Sequence, residues 1–394
     1  MTDELAVSLL LAMVETPSLS RQEANVASLL VRAMRELGMN AQVDDAGNAV
    51  GATFGDPLRP VAGVRDIVLL GHMDVVPGEV PVRIEGDLLY GRGSVDAKGP
   101  LATFVGAATR ARLPEGYRVV VIGAVEEEIA TSAGARAARA RYAPAACVIG
   151  EPSRWDSVTI GYKGRLLVRY SLTREVCHSA APHPSAGDEL VAWWSAVNAK
   201  VRHLNEGRSG GFQLLQATMR SMRTDSDGLT DTASGLASFR LPPWFTPDEV
   251  RSLCVSLAGD ARLEYDGEEH TFVADRASPL ARSLTACIRA EGARPALVMK
   301  SGTCDMNVVG APGWWTCPIV AYGPGDSTLD HTPNEHVSVS EYLRAIRVLA
   351  GAIERFATEQ SETPGEGSPG AGRLLVEPKL DHSSPVSTVS SASS

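Results

Sequence analysis

Two histidines and a set of carboxylates, spread over five separate segments, are the residues of this chain best suited to do chemistry. They occur in Gly71-His72-Met73-Asp74, Gly93-Ser94-Val95-Asp96, Glu126-Glu127-Glu128, Gly150-Glu151-Pro152 and Asp330-His331-Thr332. Imidazole and carboxylate ligands without a thiolate suit two zinc or cobalt ions. Of neighbouring carboxylates, one can bind a cation while another accepts a proton from water. The set therefore predicts metal-dependent hydrolysis.

The local patterns leave alternatives open at individual positions. In an extended segment His72 and Asp74 share one face, so Asp74 can accept a hydrogen bond from the second imidazole nitrogen. Asp96 precedes a helix predicted from about Lys98 to Arg112 and could simply be its N-cap, although the glycines around it favour close packing against a ligand. The three adjacent glutamates are equally typical of a solvated loop.

The elements that must position these residues are short, β-rich apolar runs of the kind found in buried strands. Most of the sites follow such a run, at the carboxyl end where open α/β sheets bind their ligands. Helical periodicity marks Leu5 to Val14 and Glu23 to Leu37. The pattern predicts an α/β sandwich whose strands include Asp66 to Leu70, Tyr117 to Val125, Ala146 to Ile149 and Pro318 to Tyr322.

Between Gly161 and Asp275 the order of predicted elements is β-α-β-β-α-β, which is typical of a ferredoxin-like α+β domain. We expect a catalytic metal-binding domain formed by residues 1–160 and 276–357, with an inserted lid or dimerisation domain at 161–275. Within the insertion the predicted elements are Arg165 to Thr173, Asp188 to Leu204, Phe212 to Arg220, Ala233 to Leu241, Pro247 to Leu257 and Arg262 to Val273. Residues 358–394 are rich in Ser, Pro and Gly, and we expect a disordered tail.

Composition and charge argue against several classes of protein. The formal net charge of −10 argues against a general nucleic-acid binder. No apolar run is long enough for a membrane helix, and the first residues lack the pattern of a secretory signal, so we expect a cytoplasmic protein. The six cysteines form no C-x-x-C pair, and most are expected to be buried thiols.

The motifs GHMDVVPG, GRGSVDAKGP, EEE, GEPS and HTPNE occur in this order. With them the sequence resembles the zinc-dependent amidohydrolases that include acetylornithine deacetylase, succinyl-diaminopimelate desuccinylase, aminoacylase and glutamate carboxypeptidase. The segments GYKGRLLVRYSLT, ASFRLPP, SGTCDMN and VAYGPGDSTLDHTPNEH look most like the branch that releases lysine or ornithine from an amino-group carrier protein in lysine and arginine biosynthesis.

The resemblance implies roles for the site residues. Asp96 would bridge two divalent ions, Zn²⁺ or Co²⁺, with His72 and Glu151 completing one site and Glu127 and His331 the other. Glu126 would be the general base, and Asp74 would orient His72.

The resemblance also implies contacts with the substrate. His178 would reach across a homodimer to polarise the scissile carbonyl, although Cys177 stands where the family usually has glycine. Arg240 would grip the substrate carboxylate, with Gly302 and Thr303 beside it; a surface strand arginine is the alternative.

The first expected substrate is the isopeptide-like amide between the terminal glutamate of the carrier protein and the α-amino group of lysine or ornithine. The alternatives are a deacylase acting on acetylornithine or succinyl-diaminopimelate, and a non-catalytic scaffold that binds a peptide. An acidic carrier would need a local positive surface. The basic residues available for it in the insertion are Lys163, Arg165, Lys200, Arg202, Arg220 and Arg223.

Overall fold

The computed structural model describes residues 1–178 and 182–362. In this part of the chain the α-helices are α1 (Asp3–Glu15), α2 (Ala24–Glu36), α3 (Lys98–Arg110), α4 (Ala133–Arg141), α5 (Ala186–Leu204), α6 (Pro247–Leu257), α7 (Pro279–Ala290), α8 (Asp305–Val309) and α9 (Val339–Glu362). The strands are β1 (Asn40–Val43), β2 (Ala49–Ala52), β3 (Arg65–His72), β4 (Arg83–Glu85), β5 (Leu88–Tyr90), β6 (Tyr117–Ala124), β7 (Ala146–Gly150), β8 (Ser157–Tyr162), β9 (Gly164–Glu175), β10 (Gln216–Ser226), β11 (Thr230–Leu241), β12 (Arg262–Glu269), β13 (Phe272–Val273), β14 (Ala296–Lys300), β15 (Ile319–Ala321) and β16 (His336–Ser338).

A nine-stranded sheet forms the centre of the molecule, in the order β1-β2-β6-β3-β7-β15-β8-β13, with β14 paired to β8. Strands β6, β3, β7 and β15 run parallel. Every residue of β6 and β7 is buried, because helices cover both faces of the sheet and leave no solvated side. The α/β fold class is therefore confirmed.

The inserted segment forms a second sheet of four antiparallel strands, in the order β10-β11-β9-β12. This is the strand order of a ferredoxin-like unit, and α5 and α6 pack on one face of it around a separate hydrophobic core. Both helices begin with a capping box, from Ser185 to Asp188 and from Thr246 to Glu249, so their starts are encoded locally. The separate core supports the proposed division of the chain, with the lid strands lying between Gly164 and Glu269.

Two predicted boundaries were wrong. The strand expected from Arg262 to Val273 is split, since β12 stays in the inserted sheet whereas β13 pairs with β8 in the central sheet. Helix α9 runs to Glu362, beyond the expected start of the tail at Thr358. Contacts along the helix continue there, since Arg355 Nε lies 2.7 Å from Glu359 Oε1 and Ser361 Oγ donates to the Ala357 carbonyl. The rest of the predicted tail, 363–394, lies outside the described residues.

A third, three-stranded sheet joins β16 to β5 and β4. Through this pairing His336 lies opposite Tyr90, so the segment after His331 is tied to the segment that leads into Asp96. None of the helices within residues 1–178 and 182–362 is long and apolar enough to cross a membrane.

Candidate active site

The carboxyl ends of three neighbouring strands bring together side chains that are far apart in sequence. In the parallel register of β3 and β6, His72 lies opposite Ala124, and in that of β3 and β7, Gly71 lies opposite Gly150. A Cβ atom on Gly150 would lie 2.9 Å from Gly71 Cα, so this close approach of the two strand ends requires glycine at position 150. His72, the acids after β6 and Glu151 therefore emerge at one edge of the sheet.

Asp96 lies between the two histidines, with one carboxylate oxygen facing each. His72 Nε2 lies 3.2 Å from Asp96 Oδ1, and His331 Nε2 lies 3.0 Å from Asp96 Oδ2. Helix α3 begins after Ala97 and has no side-chain cap, so the alternative role of Asp96 as an N-cap is wrong. A carboxylate that faces two imidazoles in this way is suited to bridge two cations.

The three adjacent glutamates point in different directions, and here the predicted roles need correction. Glu126 accepts a hydrogen bond from Thr131 Oγ1 at 2.5 Å, and its Oε2 lies 3.7 Å from Arg21 Nε, away from the histidines. Glu128, which was given no role, has its Oε1 3.2 Å from His331 Nε2. One ligand atom each from His72, Asp96 and Glu128 lie within 4.8 Å of one another. The structure thus brings Glu128, rather than Glu127, to His331.

The backbone explains this arrangement. Glu126 adopts φ 61°, a left-handed conformation uncommon for residues other than glycine. With this turn the Glu126 side chain lies beside Thr131 and Arg21, whereas Glu127 and Glu128 line the pocket. Glu127 lies in the same pocket as Asp96 and Glu151, and in the described part of the chain its carboxylate accepts no hydrogen bond. Neither the spacing nor the residue types show such a turn, which is why the sequence left the three acids unresolved.

Asp74 holds the loop that carries these acids. Its Oδ1 accepts a hydrogen bond from the Glu127 amide at 3.0 Å, and its Oδ2 accepts from the Glu128 amide at 3.1 Å and from Ser20 Oγ at 2.7 Å. His72 Nδ1 lies 3.5 Å from Asp74 Oδ1 and 3.0 Å from the Asp74 carbonyl oxygen. Asp74 thus contacts His72 as expected, and it also positions the acidic loop.

Glu335 is a positioning residue that the sequence analysis quoted within HTPNE without giving it a role. It is fully buried and accepts hydrogen bonds from the amides of Val95 at 3.0 Å and Asp96 at 3.1 Å. Arg92 Nη1 neutralises it at 2.6 Å. The segment that carries His331 therefore also fixes the backbone of Asp96. Within this segment His331 adopts the left-handed conformation, with φ 60°.

The electrostatics of the site fit bound cations. Burial, and after it the charge of nearby carboxylates, raises the pKa of Glu127 and of Glu128. The same two causes raise the pKa of Glu151 to about 8. Burial also raises the pKa of Asp305, which lies beside the cluster, to about 7. Hydrogen bonds from His331 and His72 lower the pKa of Asp96 despite its burial. So many buried acids repel one another unless positive charge is added, and the donor set of two histidines with carboxylates suits divalent ions.

Basic residues also line the pocket of about 600 Å³ that contains these acids. Arg240 Nη1 donates to Thr303 Oγ1 at 2.7 Å, and Thr303 Oγ1 donates to the Lys163 carbonyl at 2.8 Å. Arg240, Gly302 and Thr303 therefore lie together in the pocket, as expected for substrate contacts. The other basic residues of this pocket are Arg165, Arg220 and Lys300.

Two further predicted residues lie elsewhere. His178 is exposed after the end of β9 and is not among the residues that line the pocket, so its role across a dimer stays a prediction; its neighbours Ser179 and Ala180 fall outside the described residues. Lys163, expected on a surface for the carrier, is fully buried. Its Nζ donates to the Leu214 carbonyl and to Gln216 Oε1, so it cannot contribute to an external surface.

Comparisons with a protein-family model, with related sequences and with solved structures agree with one another. Residues 68–355 match the model of peptidase family M20/M25/M40. The LysW-lysine hydrolase of Deinococcus radiodurans is 42 % identical, over 87 % of this chain and 94 % of that protein. The LysW-lysine/LysW-ornithine hydrolase of Sulfurisphaera tokodaii is 29 % identical, over 76 % and 83 %. The M20 metallo-carboxypeptidase Sso-CP2 of Sulfolobus solfataricus has the same fold, with a TM-score of 0.72 at 18 % identity, covering 90 % of this chain and 99 % of that one.

Proposed function

Because the chain belongs to peptidase family M20/M25/M40, we propose that it hydrolyses the amide that joins lysine or ornithine to an amino-group carrier protein. The observation that carries the proposal is that Asp96 faces both His72 and His331 at a pocket that basic residues also line. The names of the relatives, which describe hydrolases of lysine and ornithine conjugates of LysW, support the same substrate class.

The ligands that we assign follow from the geometry of the pocket. His72 and Glu151 would hold one divalent ion, Glu128 and His331 would hold the other, and Asp96 would contact both. When bound, two zinc or cobalt ions would acidify water and stabilise the negative charge that develops on the amide oxygen.

Glu127 is the residue that we assign as general base. Its carboxylate lies in the pocket without a hydrogen bond from the described protein, and Asp74 holds its backbone. A carboxylate placed in this way can accept a proton from water and deliver it to the leaving amine. Arg240, fixed by Thr303, would bind the carboxylate of the leaving amino acid, since its planar fork suits bidentate contact.

Recognition of the carrier protein would use basic residues outside the pocket. Lys200 and Arg202 are exposed on α5, and Arg223 is exposed on β10. Since the chain as a whole carries a net charge of −10, such a local surface is what an acidic carrier would require. We retain a homodimer formed through the inserted sheet, with His178 completing the site, and a cytoplasmic location as parts of this proposal.

The test is release of free lysine and ornithine from the two carrier conjugates, measured with and without a chelator, beside acetylornithine and succinyl-diaminopimelate. Chelator-sensitive release from a conjugate alone is the expected result. Cleavage of either small acyl amino acid instead would make the protein a small-molecule deacylase. No cleavage of any of these compounds by the metal-loaded protein would favour a non-catalytic, peptide-binding role.

A further inference from the structure

We infer that Arg165 and Arg220 form a second carboxylate subsite, which binds the free α-carboxylate of a γ-linked glutamyl acyl group. The inference rests on the proposed function and deepens it. It defines the substrate class as γ-glutamyl amides that keep a free α-carboxylate, whatever is attached to the glutamyl nitrogen.

The inserted sheet presents its arginines on one face. Leu166, Val168 and Phe239 point into the core beneath α5 and α6, so the alternating positions Arg165 and Arg240 lie on the opposite face. In the register of β9 and β11 these two arginines are direct cross-strand partners. Two like charges in this position destabilise a sheet unless an anion lies between or beside them.

Arg220 is brought to the same place by an irregularity in β10. The register with β11 shifts between Met219 and Ser221, so Arg220 is the extra residue of a β-bulge. Bulges next to active sites typically redirect a side chain. Arg220 lines the pocket together with Arg165 and Arg240. Partial burial, and after it the positive charges of Arg165 and Arg220, lower the pKa of the half-buried Arg240 guanidinium.

These three arginines differ from others in the inserted sheet because they have no acidic partner of their own. Arg169 pairs with Asp266 at 2.9 Å, and Arg174 pairs with Glu189 at 2.7 Å. In the register Glu269 faces Arg165, but its carboxylate is bound by Arg136. Within residues 1–178 and 182–362, no ion pair joins Arg165, Arg220 or Arg240 to a carboxylate, although Arg165 Nε donates to the Gly267 carbonyl at 3.1 Å.

The chemistry of the proposed substrate matches this excess of positive charge. A terminal glutamate linked through its side chain keeps its own α-carboxylate, and the leaving amino acid carries another on the far side of the scissile amide. Glu127 is among the charges that act on Arg240, and we assign Arg240 to the carboxylate of the leaving amino acid. Arg165 and Arg220 remain for the carboxylate on the acyl side.

The test uses a pair of small substrates that differ at one group. N-acetylglutamate joined through its γ-carbonyl to the α-amino group of lysine is compared with the same compound carrying an α-carboxamide. The metal-loaded full-length enzyme, Arg220→Gln, Arg165→Gln and the control Arg169→Gln are assayed on both, and thermal melts verify folding. Arg169 lies on the same face of β9 and is paired with Asp266, outside the pocket.

For the unmodified enzyme we expect kcat/KM to fall by on the order of 10- to 100-fold when the carboxylate becomes a carboxamide, as for loss of a charged hydrogen bond. Arg220→Gln and Arg165→Gln should lose a similar factor on the carboxylate and little on the carboxamide, whereas Arg169→Gln should match the unmodified enzyme. Equal cleavage of both compounds by the unmodified enzyme, or equal losses on both in the two variants, would overturn the subsite alone. No cleavage of either small compound or of the carrier conjugates would overturn the subsite together with the proposed function.

Discussion

Replacing Glu127 by glutamine should abolish turnover while leaving the bound metal in place. Glutamine has the shape of glutamate but cannot accept the proton, and the Glu127 carboxylate receives no hydrogen bond from the described residues, so no protein donor loses its acceptor. The hydrogen bond from the Glu127 amide to Asp74 Oδ1, at 3.0 Å, involves the backbone of Glu127 and is retained when glutamine replaces it. General base catalysis contributes about 10²- to 10⁴-fold, and we expect kcat to fall by that factor.

The two neighbouring glutamates provide matched controls. Glu126→Gln should keep both activity and metal, because among the described residues the Glu126 carboxylate accepts a hydrogen bond from Thr131 alone and lies 3.7 Å from the exposed Arg21. Surface contacts of this kind contribute about 1 kcal/mol or less to stability. Glu128→Gln should lose one metal ion per chain, since its carboxylate lies 3.2 Å from His331 Nε2.

The assay is steady-state release of lysine from the carrier conjugate, with metal content measured by elemental analysis on the same samples. The assignment of the base would be refuted if Glu126→Gln were inactive with its metal retained. Loss of metal from Glu127→Gln would equally contradict it, and would restore the roles expected from the resemblance.

Three further predictions concern the support of the site and the fold. Glu335→Gln should weaken metal binding by about 10- to 100-fold, because the carboxylate that holds the Val95 and Asp96 amides loses its charge; chelator competition measures this, and unchanged affinity would exclude the positioning role. Arg118→Met should lower the free energy of unfolding by about 3 to 5 kcal/mol, since it removes the fully buried partner of Asp66, at 2.6 Å, and leaves this largely covered carboxylate unpaired; urea denaturation checks this, and a loss below about 1 kcal/mol would contradict it. The metal-free protein should lose stability relative to the metal-loaded protein as pH rises from about 4.5 to about 8. The sign follows because the pKa of Glu151 is raised from 4.5 to about 8, so the metal-free native state keeps a proton that the unfolded chain releases. Melting curves of both forms across this range measure the difference in stability. If the difference between the metal-loaded and the metal-free protein became smaller as pH rises, the raised pKa of Glu151 would be contradicted.

The sequence predicted the main elements because their signals are local or periodic. Buried strands such as Tyr117–Ala124 contain runs of β-branched residues, and α6 was predicted with its observed bounds, Pro247–Leu257. A capping box and an N-terminal proline mark the start of this helix locally. The sequence prediction merged β13 with β12, because only the pairing of Phe272–Val273 with β8 separates the two strands. No strand was predicted at β1, β2, β4, β5, β8, β14 or β16; β14, for example, is defined by its pairing with β8.

For the site, the sequence by itself determined which segments take part. His72, Asp96, Glu151 and His331 were expected from residue type and from the position of most of them after predicted strands, and the structure brings these four residues to one edge of the sheet. Parallel strands explain this, since their carboxyl ends share an edge whatever the details of the loops.

Only the tertiary structure decided the direction of individual side chains. One of three consecutive glutamates faces His331, and which one depends on the left-handed turn at Glu126. It also depends on the hydrogen bond from the Glu127 amide to Asp74, a residue 53 positions away in sequence. Which arginines lack an acidic partner depends likewise on cross-strand register and on the bulge at Arg220. Side-chain direction follows from backbone dihedrals and long-range pairing, and neither is written in the identity or spacing of neighbouring residues.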